Sequence, residues 1–396
     1  MKICTFYMLL IIILVGCNAE PSLHEFPIIE TLTPTIVDST GATFHGRLIK
    51  QGTDLISSYG FVWGIADVHQ SIADSIILGS GIDEIDFGKR IDFSLSKGFN
   101  YYVRIFARYR QKIIYGNPQY FISKGSTKCP WELVKNVYLD GYFNSIGSSD
   151  NNYGHILFQN SSHYIYNPQT NEFTKSVKTP IDGNSGTLEC SVNVGNALYL
   201  FSSETTNLYK LENNTWSIES QRPFGYDSFW SFSFSLSDSL IYFLSSNLYA
   251  YNLKTKRWSQ KASYNWGGIE GCTTLNKKLY TMNFGKEIYE YDPTTNLWLK
   301  ITSYPGKLRN RIITFSYGTK IYIGLAHDGA YSEDNWFEKE IWSYDIGNRV
   351  WKRCNDFPYL LTDGAHDLFF FNYQNSLYFG YGTSSYTVWK FDVTKE

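Results

Sequence analysis

From about residue 129 to the C-terminus, one arrangement of apolar, aromatic and polar positions recurs. An apolar residue and an aromatic alternate with a third and fourth position, a polar turn follows, and an aromatic closes the unit. His163-Tyr164-Ile165-Tyr166 leads to Phe173, Leu248-Tyr249-Ala250-Tyr251 to Trp258, Ile288-Tyr289-Glu290-Tyr291 to Trp298, and Ile341-Trp342-Ser343-Tyr344 to Trp351. Leu208-Tyr209-Lys210-Leu211 reaches Trp216 through a turn two residues shorter. Strict alternation predicts a strand, and "NPQTN", "NLKTK" and "DPTTN" predict turns, because Pro, Asn and Asp preset turn dihedrals and supply local hydrogen bonds. The closing aromatic opens the next strand, so each copy is a hairpin.

Phe173, Trp216, Trp258, Trp298 and Trp351 lie 43, 42, 40 and 53 residues apart. A further apolar pair precedes each hairpin: Leu198-Tyr199, Ile241-Tyr242, Leu279-Tyr280, Ile321-Tyr322 and Leu377-Tyr378. Another alternating run precedes each pair. Four strands per unit make a propeller blade. The last copy, "VWKFDVTKE", ends at Glu396 before its Trp arrives. "CPWELV" (residues 129–134) belongs to no complete unit, so Trp131 is expected to supply the missing outer strand of the final blade. Such a join closes the ring and leaves no half-built sheet edge.

At these Tyr-to-Trp hairpins the chain resembles the kelch propellers. The resemblance covers residues 129–396 and implies six blades of about 45 residues each. The Gly-Gly doublet of that family is mostly absent; unit five offers Gly324, and unit six Gly380 and Gly382.

Residues 28–123 have a different rhythm. Short alternating runs occur at 28–37, 42–49, 59–63, 91–95, 101–109, 112–115 and 119–122, enough for a β-sandwich. Tyr101, Val103, Ile105 and Ala107 alternate with Tyr102, Arg104, Phe106 and Arg108, so the first set is expected to face the core. This stretch resembles the penultimate strand of fibronectin type III domains. By that resemblance Tyr101 is the residue making a corner hydrogen bond. The expected fold class is therefore all-β: an immunoglobulin/fibronectin-like sandwich over 28–124, then a six-bladed kelch-like propeller over 129–396, closed by an N-terminal outer strand.

In residues 1–16 one Lys precedes an apolar run from about Phe6 to Val15, the right length for a secretory signal and too short for a spanning helix. Leu14-Val15-Gly16-Cys17 resembles the lipobox of bacterial lipoproteins. That resemblance implies cleavage before Cys17, acylation of Cys17, a tether over 17–27 and a membrane-anchored envelope protein. Asn18, in place of Asp, points to the outer membrane.

Composition narrows the function. Lys+Arg 35 against Asp+Glu 37 gives net charge −2, which disfavours an electrostatic nucleic-acid binder. Of six cysteines, Cys129, Cys190, Cys272 and Cys354 remain in the mature chain without CxxC spacing; free buried thiols are expected at Cys190 and Cys272. No short catalytic or metal motif appears, and the seven His show no ligand spacing, so no metal or cofactor is expected.

Propellers bind ligands where loops enter their innermost strands. Counting back from the second-strand pairs places Asp140, Glu189, Trp230, Glu270, Arg311 and His366 there, with Asp367 beside the last. An Arg can hold a carboxylate, a Trp can stack on a sugar ring, and Glu with His can move protons. Tyr226, Phe229, Tyr264 and Trp266 are either further stacking platforms or packing residues. The long loop 324–340, with Asp328, Glu333, Asp334, Glu338 and Glu340, reads as a solvated flap.

The leading expectation is a monomeric, non-catalytic module that binds a glycan or an envelope protein through Trp230, Glu189, Glu270, Arg311, His366 and Asp367. The alternative is a carbohydrate-active enzyme. Kelch propellers include sialic-acid mutarotases, and Arg311, Glu189 or Glu270, and His366 would suit that chemistry. A galactose-oxidase-like copper enzyme is a weaker fit, since no Tyr, His and Cys–Tyr positions are marked.

Overall fold

Among the described residues, eight strands and then twenty-four more follow one another, without an α-helix. The structure, a computed structural model, describes residues 25–66, 74–82, 85–141, 145–181, 188–203, 205–225, 231–307, 312–325, 338–358, 367–382 and 385–396. The signal run, Cys17, Trp230, Arg311 and His366 lie outside the described residues.

The N-terminal part holds two antiparallel sheets. Strands Ile28–Asp38, Gly41–Lys50 and Asp86–Ile91 form one; Asp74–Gly79, Ile56–Ile65, Asn100–Tyr109, Lys112–Tyr115 and Gln119–Ile122 form the other. Phe44, Phe61, Trp63, Val103 and Ile105 form the core between them. Tyr101, Val103, Ile105 and Ala107 are buried as the alternation requires, and the Tyr101 hydroxyl accepts a hydrogen bond from Ser96 N at 3.0 Å. Phe106 departs from the pattern: it is buried although it lies on the Arg-bearing face. The strand expected at 91–95 runs instead from Asp86 to Ile91, and the strand Asp74–Gly79 carries too weak an alternation to be read.

From residue 131 the chain forms four-stranded antiparallel sheets arranged as a β-propeller. Sheets one to five span 145–175, 188–221, 232–260, 269–303 and 313–353, each with strands in sequence order from the inside outward. In the last sheet, Asp367–Tyr373, Ser376–Gly382 and Ser385–Asp392 are completed by Trp131–Tyr138. Phe391 lies opposite Trp131, and their rings are 4.7 Å apart. The missing tryptophan is therefore Trp131.

The closing aromatic has the same geometry in four of the other sheets, while in sheet two Trp216 lies opposite Leu211. Tyr166 is opposite Phe173, Tyr251 opposite Trp258, Tyr291 opposite Trp298 and Tyr344 opposite Trp351, with ring centroids 4.7, 5.0, 5.0 and 4.9 Å apart. The turns between them use the expected chemistry. Asn167, Asn252, Asp292 and Asp345 each accept a backbone N–H two or three residues on through Oδ1. Asn171, Lys256, Asn296 and Arg349, two residues before the aromatic, all have φ between 57° and 59°. The shorter Leu211–Trp216 hairpin turns through Asn213 and Asn214, with φ of 50° and 57°; positive φ at both central residues is the twist-compatible two-residue turn.

Neighbouring sheets are joined edge to edge at the centre and by indoles at the rim. Thr314 Oγ1 and Ser316 Oγ donate to the Cys272 and Thr274 carbonyls of the preceding innermost strand at 2.6 and 2.5 Å. At the join of the last sheet with sheet one, Ser149 Oγ donates to Asn372 O. A Cβ on Gly147 would stand 2.2 Å from Phe370 O, so only glycine permits this approach. At the rim, the indole N–H of Trp258, Trp298, Trp351 and Trp131 reaches back to Ser220 Oγ, Ala262 O, Thr302 Oγ1 and Asn355 O, each at 3.1 Å. All four acceptors lie where the chain leaves the preceding sheet.

Residues 326–337 of the long loop, with Asp328, Glu333 and Asp334, lie outside the described residues; its described end is packed. Lys339 and Glu340 are buried, and the Glu340 side chain accepts from Lys307 N.

Candidate functional site

Glu189 and Glu270 occupy corresponding places, the second residues of the innermost strands Leu188–Val194 and Ile269–Leu275. In both strands the ladder slips at that residue: Leu188 pairs with Ser202 and Cys190 with Phe201, while Ile269 pairs with Asn283 and Gly271 with Met282. Each glutamate is thus the extra residue of a β-bulge, a device that re-aims a side chain at the end of a sheet. Both are buried, Glu270 to 3% exposure.

Glu189 is held by Arg222, which follows the outermost strand of the same sheet. Arg222 Nη1 lies 2.9 Å from Glu189 Oε2, and the two side chains are 1% and 5% exposed. Arg222 Nη2 also donates to the carbonyls of Ser202 and Ser203 at 3.0 and 3.4 Å, and the guanidinium lies over the rings of Phe224 and Phe243. The pair fixes the loop after the second strand against sheet three. Removing either partner would leave a buried charge uncompensated, typically at a cost of about 3–5 kcal/mol.

Asp140 does not join these residues. Its carboxylate accepts from Ser162 Oγ at 3.0 Å and Tyr164 OH at 2.6 Å, and pairs with Lys175. The Lys175 and Tyr164 hydrogen bonds hold its pKa down at about 2. It braces the outer half of sheet one. Asp367 begins the innermost strand of the last sheet, at the corresponding end. Of the predicted convergence, the described residues show Glu189, Glu270 and the backbone of Asp367 at one end of the ring.

Sheet four adds aromatic surface at that end. Tyr264 is buried between sheets, as a packing residue. Trp266 is 36% exposed, its ring stacked at 4.2 Å on Tyr289 and its carbonyl accepting from Asn283 Nδ2 at 2.9 Å. Phe284, 47% exposed, lies close over Gly268, where a Cβ would come within 2.1 Å of the ring. Beside them Glu287 takes hydrogen bonds from Asn283 Nδ2 at 3.2 Å and Tyr289 OH at 2.8 Å, and pairs with Lys300. Lys300, Tyr289 and Asn283 together hold its carboxyl at about 2. Two fixed, half-exposed rings beside an ordered polar set form a stacking surface. Tyr226 and Phe229 lie outside the described residues.

Three features were missed in sequence. Arg222 gave no signal because its partner is 33 residues away. Phe284 carries no motif in the sequence, and its place over Gly268 depends on strand pairing. His155 and His163 show no ligand spacing, yet the pairing of Leu157 with His163 puts them on one face. His155 Nδ1 is 3.1 Å from His163 Nε2, and His155 Nε2 is 3.1 Å from Asp150 Oδ2. Both rings are buried, and burial, then the neighbouring His155, pushes His163 down to about 3. A correct hairpin register would have revealed the pair. No group of three metal-ligating side chains occurs among the described residues. Cys129, Cys190, Cys272 and Cys354 are free thiols, with Cys272 only partly buried.

No known protein family matches the chain. No curated protein matches it either. Among solved structures, the propeller fold recurs in the one titled "Structure of YjhT", which is 15% identical with a TM-score of 0.52 and covers 64% of this chain and 95% of that chain. A protein of unknown function from Bacteroides thetaiotaomicron is 11% identical with a TM-score of 0.43, covering 91% of this chain and 97% of its own.

Proposed function

We propose that the chain is an envelope lipoprotein, acylated at Cys17, whose kelch-type six-bladed propeller binds a glycan without transforming it. In this reading residues 28–124 are a fibronectin type III-like stalk. The observation that carries the binding proposal is the Trp266–Phe284 surface beside Asn283 and Glu287. Its rings are fixed before any ligand arrives, so stacking a sugar face on them costs little side-chain ordering. Glu270 and the predicted Trp230, Arg311, His366 and Asp367 would extend the same end toward the ring axis. An envelope protein is the other partner class compatible with the surface.

Glu189 weighs against the enzyme reading, because Arg222 already occupies it. A mutarotase-like reaction would have to use Glu270 with Arg311 and His366. Glycan-array binding by the soluble chain from residue 25 onward tests the proposal. A bound glycan class lost in Trp266→Ala and weakened in Phe284→Ala is the expected outcome. An empty array, or NMR showing accelerated anomer exchange of a sugar acid that Arg311→Ala abolishes, contradicts it.

A further inference from the structure

Between the N-terminal sheets and the rim of the propeller lies a cavity of about 220 Å³. It is lined on one side by Ile65, Asp74 and Tyr101, and on the other by Trp131, Lys339, Arg353, Asp356 and Phe357. Its position is fixed by contacts across the junction. Phe99 stacks on Trp389 at 5.4 Å, and Cys129 Sγ lies 3.4 Å from Ser96 Oγ.

The charges in this cavity are unevenly satisfied. Arg353 and Asp356 form a two-point pair, at 3.1 and 2.6 Å, and neutralise one another. Lys339 is 4% exposed, and its ammonium makes no hydrogen bond or ion pair among the described residues. An ammonium so placed is expensive unless something in the cavity compensates it. Desolvation lowers its pKa to about 8, against the pull of Asp356 and Asp74. Asp74, which hydrogen-bonds Ser94 and is exposed, lines the same cavity.

We infer that this junction is a binding site for a small monocarboxylate with a compact apolar body. Lys339 takes the carboxylate, and the body lies against Ile65, Trp131 and Phe357. With Asp356 neutralised by Arg353, one cation unpaired among the described residues faces one acid, Asp74, which suits a single negative charge rather than a dianion such as phosphate. An apolar cavity of about 150 Å³ holds benzene, so the larger space here accepts a ring bearing one carboxylate. This site is separate from the aromatic surface on sheet four.

Calorimetric titration of the chain with benzoate, benzamide and inorganic phosphate tests the assignment. Saturable benzoate binding, at least tenfold tighter than that of benzamide or phosphate, is expected. Lys339→Met and Lys339→Gln should each weaken benzoate at least tenfold while leaving thermal unfolding of the free protein unchanged or raised. Two variants are used so that poor folding of one does not decide the matter. Glycan binding should be untouched by either, which separates this site's failure from failure of the propeller-end reading. Absence of benzoate saturation, equal binding of phosphate or benzamide, or unchanged affinity in both Lys339 variants overturns it.

Discussion

The aromatic that closes each hairpin has two tasks. Its ring covers the Tyr or Phe opposite, or Leu211 in sheet two, and in four sheets its indole N–H ties the sheet to the one before. Trp298→Phe should remove only the bond to Ala262 O and cost about 0.5–1.5 kcal/mol. Trp298→Ala also loses the packing with Tyr291 and Tyr264 and should cost about 3–5 kcal/mol. Urea unfolding with an unchanged slope and a shifted midpoint would show both. His163 offers a second residue-level test. Its folded pKa, about 3, lies below the ordinary 6.5, so the unfolded chain binds the extra proton. Its contribution is complete above about pH 6.5 and is lost as pH falls toward 3. At pH 5 the loss is about 2 kcal/mol. Stability measured from pH 7 to 5 should fall by that amount, and the fall should be shallower in His163→Gln. These residues show the limit of reading a sequence. The Tyr and Trp positions were legible because both lie on one hairpin. The His pair needed the register of two strands, and Arg222 and Lys339 needed tertiary neighbours.

At the scale of the element, the hairpin is set by its turn. An Asx side chain starts it, and a left-handed residue two positions before the aromatic ends it. Asn fits that conformation, while Lys256 and Arg349 adopt it at a steric cost. Lys256 also pairs with Glu219, so replacing it would mix two effects. Arg349→Asn should stabilise by about 0.5–1 kcal/mol, read as a raised thermal midpoint, and no change would mean the turn is not strained. Turn chemistry is local, which is why five hairpins and their aromatic pairs could be read from sequence. The bulges at Glu189 and Glu270 could not, since a bulge is defined by the partner strand. Sequence counting still found both glutamates, because the apolar pair of the second strand fixes the distance back to the innermost strand.

For the whole molecule, the decisive feature is the last sheet, made from both ends of the propeller sequence. It explains why the final repeat ends without a tryptophan: Asp392 still starts its turn by accepting from Thr394 N, and Trp131 takes the place of the absent residue. It also builds the junction, since the strand carrying Trp131 follows directly from the N-terminal sheets. The ring order was legible from a pattern repeated often enough to survive irregular copies. The junction cavity was not, because its lining comes from segments more than two hundred residues apart. The pairing of Glu132 with Lys390 in this sheet tests the arrangement most directly. Directly opposed residues in an antiparallel ladder stand about 4.5–5.5 Å apart at Cα, within disulfide range. In a Glu132→Cys, Lys390→Cys variant with the four native thiols replaced by Ser or Ala, mild oxidation should give a monomeric 132–390 disulfide seen by peptide mass mapping, with a raised thermal midpoint. A folded variant that yields no such linked peptide, or only dimers, would contradict a ring closed by its own N-terminal strand.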